Sequence, residues 1–173
     1  MRKRNKSVLI FKGVDRAAVL YGLGRNSKAL LSLEAILSRN PRNKSALLLM
    51  AKILPDVGLS GRSLQVVNRV LSRCPKDFEA LLTKAVVYSD MGRAREALRI
   101  FAELSKRPHV SREDRKYLYW HWINTLIATK RWRSADSVLS QALSLLPNDE
   151  MLNHYRTLIH RPSSKVRSAR ADE

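Results

Sequence analysis

Four histidines, one cysteine and a few clustered acids are the first candidates in this sequence for acid–base, nucleophilic or metal chemistry. His109, His121, His154 and His160 form no HExxH motif and no pair at i and i+4. Cys74 has no histidine beside it in sequence and falls near an expected helix end. It reads as a packed or half-buried thiol rather than a nucleophile. The acids stand singly, except Glu113-Asp114 and Asp149-Glu150. Both pairs sit where helices are expected to start, and the helix dipole explains them better than catalysis does. No GxxxxGK[ST] or GxGxxG loop is present. The chemistry expected is therefore non-enzymatic, with no metal and no cofactor.

What the sequence has in excess is positive charge. Its 173 residues carry 33 Lys+Arg against 15 Asp+Glu, a formal net charge of +18. The segment 1–12 and the tail 161–173 hold nine of the basic residues and two of the acids. The remaining 13–160 is still cationic by about +11. Such a field attracts nucleic acid, acidic protein surfaces or anionic lipid, or it keeps a repeat protein soluble. A 45% hydrophobic share excludes global disorder, and a single cysteine excludes a disulfide framework. No apolar run approaches the ~18–20 residues of a spanning helix. The apolar stretch Val8–Phe11 behind the charged start is too short for a signal peptide, so the expected location is cytoplasmic.

The elements that must position any site come from an internal repeat. Gly24, Gly58 and Gly92 are 34 residues apart, as are Ala17, Ala51 and Ala85, and Leu33, Val67 and Phe101. The columns Ala29/Ser63/Ala97, Ile36/Val70/Leu104 and Leu20/Leu54/Tyr88 keep the same step. After four extra residues a fourth copy continues them with Ile123, Leu126, Lys130, Ala135, Leu139 and Ala142. Each copy reads as two amphipathic helices around the glycine, which reaches the left-handed conformation cheaply. Units end in Pro-x-Asn/Asp at Pro41, Pro75 and Pro147, where proline stops one helix and Asn43, Asp77 or Asp149 can cap the next. Pro55 should shorten or bend the first helix of the second copy, and Lys130 replaces the turn glycine in the fourth. The four extra residues are close to one helical turn, so Ser111–Thr129 reads as one long helix capped by Ser111.

This pattern resembles the tetratricopeptide-repeat family, over roughly Ile10–Asn148 or four fifths of the chain. The resemblance implies an all-α, right-handed helical solenoid of helix-turn-helix repeats with a C-terminal capping helix. The expected divisions are a basic segment 1–9, repeats 10–43, 44–77, 78–110 and 111–149, a capping helix 150–160, and a basic disordered tail 161–173.

In that family the first helix of each repeat lines a concave groove. The stripe Tyr117, Trp120, His121 and Asn124 matches the groove columns, as do Tyr21, Lys52, Thr83 and Ser89. The stripe reads either as a peptide anchor or as packing beneath the capping helix. Two arginine rows also recur. Arg39, Arg73 and Arg107 precede the unit ends, and Arg25, Arg93 and Arg131 follow the turns, with Arg95 and Arg133 behind. The function expected is a protein–protein interaction module, a scaffold, assembly factor or chaperone-like adaptor, holding a peptide or helix (an acidic one among the options) in its groove. The alternative is association with RNA or a ribonucleoprotein through the arginine rows and tails.

Overall fold

The computed structural model describes the backbone of residues 6–160 and the side chains of 13–160. The tail expected over 161–173 and the first five residues of the basic segment lie outside the described residues. Among those described there are helices and turns and no strand. The chain divides into two compact units, Met1–Asp90 and Met91–Glu173.

The first unit holds α1 (Lys6–Gly22), α2 (Asn26–Arg39), α3 (Lys44–Ile53), a 3-10 turn (Leu54–Val57), α4 (Ser60–Leu71) and α5 (Phe78–Asp90). α1 packs on α2 and α3 on α4, while α1, α3 and α5 also touch in succession. α3 shows why the two kinds of helix differ in pattern. Ala46, Leu47, Leu48, Met50, Ala51 and Ile53 are all buried, because α3 has neighbours on both sides. α4 buries only Ser63, Val67 and Val70, one stripe at helical spacing. Ser63, in the small-residue column, sits with its hydroxyl donating 2.6 Å to the Ala51 carbonyl. Gly13 serves close approach too: a Cβ there would lie 3.1 Å from Ile36 Cδ1. Pro55 ends α3 at Ile53 and tightens the following residues into the 3-10 turn.

The second unit holds α6 (Ala94–Ser105), α7 (Arg112–Ala128), α8 (Trp132–Leu145) and α9 (Glu150–His160), each packed on the next. Phe101, Tyr119, Ile123, Leu139 and Ile159 are fully buried. Ser111 caps α7 by accepting the Asp114 amide at 3.0 Å, and its hydroxyl donates 2.8 Å to the Asp114 carboxylate.

The turns inside the repeats share one backbone solution. Gly24, Gly58 and Gly92 have φ of 69°, 78° and 72°, and Lys130 adopts the same region at 60°. The Lys130 amide bonds to Ile127 O and the Arg131 amide to Leu126 O, as Gly24 and Arg25 bond to Tyr21 O and Leu20 O. The turn is thus kept in the fourth copy despite the missing glycine, at the steric cost a Cβ carries there.

Two stability outcomes follow. Lys130→Gly should raise the unfolding free energy by about 0.5–1 kcal/mol in urea titration, whereas Gly58→Ala, with open space around it, should lower it by about 1 kcal/mol through backbone strain alone. Phe101→Ala should cost about 3–5 kcal/mol by the same measurement, because the ring is fully buried.

Candidate functional site

Boundary residues do two jobs. Asn43 accepts the Ala46 amide at 2.9 Å, Asp77 the Ala80 amide at 2.9 Å, and Asp149 the Met151 and Leu152 amides at 3.1 Å each. Each of the two aspartates also takes a lysine from the preceding first helix: Lys44 Nζ lies 2.8 Å from Asp77, and Lys116 Nζ 3.1 Å from Asp149. These lysines occupy the same repeat position once the four-residue insertion is allowed for. Burial pushes the Asp77 carboxyl up, but the Lys44 ammonium and the Ala80 and Glu79 amides outweigh it and hold it below the ordinary value. At Asp149 burial likewise opposes ionisation, and the Leu152 amide, Lys116 and the Met151 amide reverse the balance.

The face shared by α1, α3 and α5 gathers several of the expected groove residues. Tyr21 is half-buried there. Lys52 is already paired with Glu79 of α5 at 3.0 Å. Thr83 departs from the expectation: it is 3% exposed and its hydroxyl donates 2.8 Å to Glu79 O, so it belongs to the interior. A column placed by periodicity can turn inward when the helix is covered on two sides. Ser89 is half-buried and engaged in contacts of its own.

Sequence reading missed the acids beside Tyr21. Asp56, in the 3-10 turn, and Asp90, at the end of α5, are 34 residues apart and both exposed. Burial, then the hydrogen bond and charge of Asp56 and the charge of Asp90, raise the Tyr21 phenol above its ordinary value. Asp90 is itself raised, first by partial desolvation and second by Asp56. The 34-residue step between the two aspartates was the signal available.

On α7 the second stripe meets the capping helix. Tyr155 of α9 donates its hydroxyl 2.7 Å to Asn124 Oδ1, and Trp120 is partly buried against the cluster that contains Tyr155. Desolvation raises the Tyr155 phenol above its ordinary value. His121 is half-buried with its ring edge-on to Trp120 at 4.5 Å, and Tyr117 is 55% exposed.

The arginines fall into two chemically different groups. Arg39 ends α2, while Arg73 and Arg107 follow the ends of α4 and α6, where a cation complements the helix dipole. Arg25, Arg93 and Arg131 are instead the N-cap residues of α2, α6 and α8, with no capping side-chain bond and against the dipole. Arg93 is compensated by Glu96 at 2.7 Å. Arg95 and Arg133 are exposed in the first turns of α6 and α8, and Arg133 makes contacts of its own. Cys74, expected to be packed or half-buried, is exposed. α4 stops at Leu71, so Cys74 lies in the turn beyond the stripe that would have buried it.

The fold is that of the tetratricopeptide-repeat proteins: an all-α helical solenoid built of helix-turn-helix repeats. A thermophilic repeat protein of this kind from Thermus thermophilus superposes with a TM-score of 0.67 at 21% identity, over 79% of this chain and 74% of that one. PilF of Pseudomonas aeruginosa gives 0.75 at 13%, over 97% and 75%. MamA of Desulfovibrio magneticus RS-1 gives 0.62 at 15%, over 82% and 77%. No family model matches the chain, and no curated protein matches it in sequence. No helix among the described residues is long and apolar enough to cross a membrane.

The lysine–aspartate clips make stability depend on pH with a definite sign. A carboxyl lowered in the folded state stabilises fully above its unfolded value near ~4, and the contribution is lost as pH falls through the native value. Urea midpoints measured between about pH 7 and pH 3 should therefore decline on acidification. Asp149→Asn, which keeps a cap oxygen, should weaken that decline, and Asp149→Ala should cost about 1 kcal/mol more through the lost cap.

Proposed function

We propose that this chain is a non-enzymatic protein–protein interaction module that holds an extended segment of a partner protein against the α1–α3–α5 face. The observation that carries this reading is that Tyr21 of α1, Asp56 of the 3-10 turn and Asp90 at the end of α5 lie close enough to act on one another's charge. A carboxylate raised by its neighbour carries an electrostatic cost in the folded protein, as Asp90 does beside Asp56, and a cation between them relieves it. The local charge there is opposite to that of the chain as a whole, which favours a partner segment carrying Lys or Arg over an acidic one. Tyr21 supplies an aromatic surface for the aliphatic stem of such a residue. Lys52, neutralised by Glu79, borders the same face without acting as an anion clamp. The solenoid fold supports this assignment to an interaction module, since stacked first helices expose a continuous surface.

Selection of random 12-residue peptides against the chain tests the proposal. Enriched peptides should carry Lys or Arg, and the double variant Asp56→Asn/Asp90→Asn should bind them about tenfold or more weakly by fluorescence anisotropy. Because Asp90 is raised in the folded state, Asp90→Asn should leave the urea midpoint at neutral pH equal or higher, which separates lost binding from lost folding. Enrichment of acidic peptides, or binding unchanged in the double variant, overturns the reading.

A further inference from the structure

We propose that a cleft at the opposite end of α3 from Asp56 binds a single phosphate-type dianion, the phosphoryl group of a phosphorylated side chain. The cleft lies between the start of α3 and the end of α4, has a volume of about 100 Å³, and is lined by Pro41, Leu47, Arg69, Ser72 and Arg73. Its size suits one tetrahedral oxyanion rather than the run of phosphates along a nucleic-acid strand. Arg69, in the last turn of α4, and Arg73, just beyond its end, both line this small space.

Among the described residues neither charge has an ion-pair partner; the ion pairs involve Lys44, Lys52, Arg93, Lys116 and His160, not Arg69 or Arg73. The nearby carboxylate of Asp77 is taken by Lys44. Arg69 Nη2 donates only a long 3.5 Å bond to Pro41 O, which draws it across the inter-repeat loop and leaves most of its five donors for a ligand. Ser72 turns its hydroxyl proton to Arg69 O at 3.0 Å and closes the wall without donating into the cleft. The positive end of the α3 dipole and the negative end of the α4 dipole meet there and offset each other, so the two guanidiniums set the sign. Paired guanidiniums match a phosphoryl group in both charge and fork geometry, and a monoanion would neutralise only one of them.

The experiment follows the arginine Nε–H resonances of the full chain by NMR during titration with inorganic phosphate, the tripeptide Gly-pSer-Gly and its unphosphorylated form. Gly-pSer-Gly should shift Arg69 and Arg73 saturably, and more tightly at about pH 7.5 than at about pH 5.5, since the second phosphate ionisation lies near 6. Arg73→Gln, at an exposed position, should weaken this about fivefold or more, Arg69→Gln likewise, and Arg25→Gln should leave it unchanged. The proposal fails if the unphosphorylated tripeptide acts equally, if inorganic phosphate and Gly-pSer-Gly both shift nothing saturably, or if Arg73→Gln binds as before. It also fails, in favour of nucleic acid, if an oligouridylate competes for Arg69 and Arg73 more tightly than Gly-pSer-Gly. None of these outcomes touches Asp56 or Asp90, so the two sites stand or fall separately.

Discussion

Each helix-turn-helix hinges on one residue in the left-handed region, and that backbone conformation sets what every other residue can do. With φ between 60° and 78° at Gly24, Gly58, Gly92 and Lys130, the chain leaves one helix and begins the next within two or three residues. So short a connection forces α2 back against α1, α4 against α3 and α8 against α7. The stripes at Ala29/Leu33, Ser63/Val67 and Ala135/Leu139 are buried because that reversal presents them to the helix before. In the fourth copy a lysine holds the same conformation, which shows that packing dictates the turn and glycine merely makes it cheap.

A second layer of order comes from how carboxylates are placed. Asp77 and Asp149 meet backbone amides and a lysine together, so their ionised forms are favoured and they fasten successive helices. Asp90 meets Asp56 and partial desolvation instead, so its ionised form is disfavoured. The same side chain strengthens the scaffold in one place and strains it in another. Strain of that kind concentrates where a ligand can relieve it, which is why the α1–α3–α5 face, rather than the cap positions, is read as the binding surface.

The capping helix shows how much one terminal element changes. Tyr155 reaches Asn124, and the α9 cluster takes part of Trp120. Two members of the α7 stripe, Trp120 and Asn124, thus meet α9, and of its four members Tyr117 keeps the most surface.

Much of the architecture was legible in the residues themselves. Helix spacing, the turn glycines, the Pro-x-Asn/Asp boundaries, the Pro55 break and the Ser111 cap are local features, and local features are fixed by φ/ψ preferences and hydrogen bonds within a few residues. Periodicity extended this to the core columns, since a repeated unit buries equivalent positions. The exceptions arise where partners are distant in sequence. Thr83 turned inward because α5 is covered by neighbours, Cys74 turned outward because α4 ended early, and Lys52 was claimed by a glutamate 27 residues on. The meeting of Tyr21 with Asp56 and Asp90, and of Arg69 with Arg73 over one cleft, likewise needed the folded chain. By itself the sequence determined which residues repeat and how each helix begins and ends, because those are short-range properties. Only the tertiary structure decided which charges are neutralised and which are left facing solvent, because an ion pair depends on distances that the chain sets by folding back on itself.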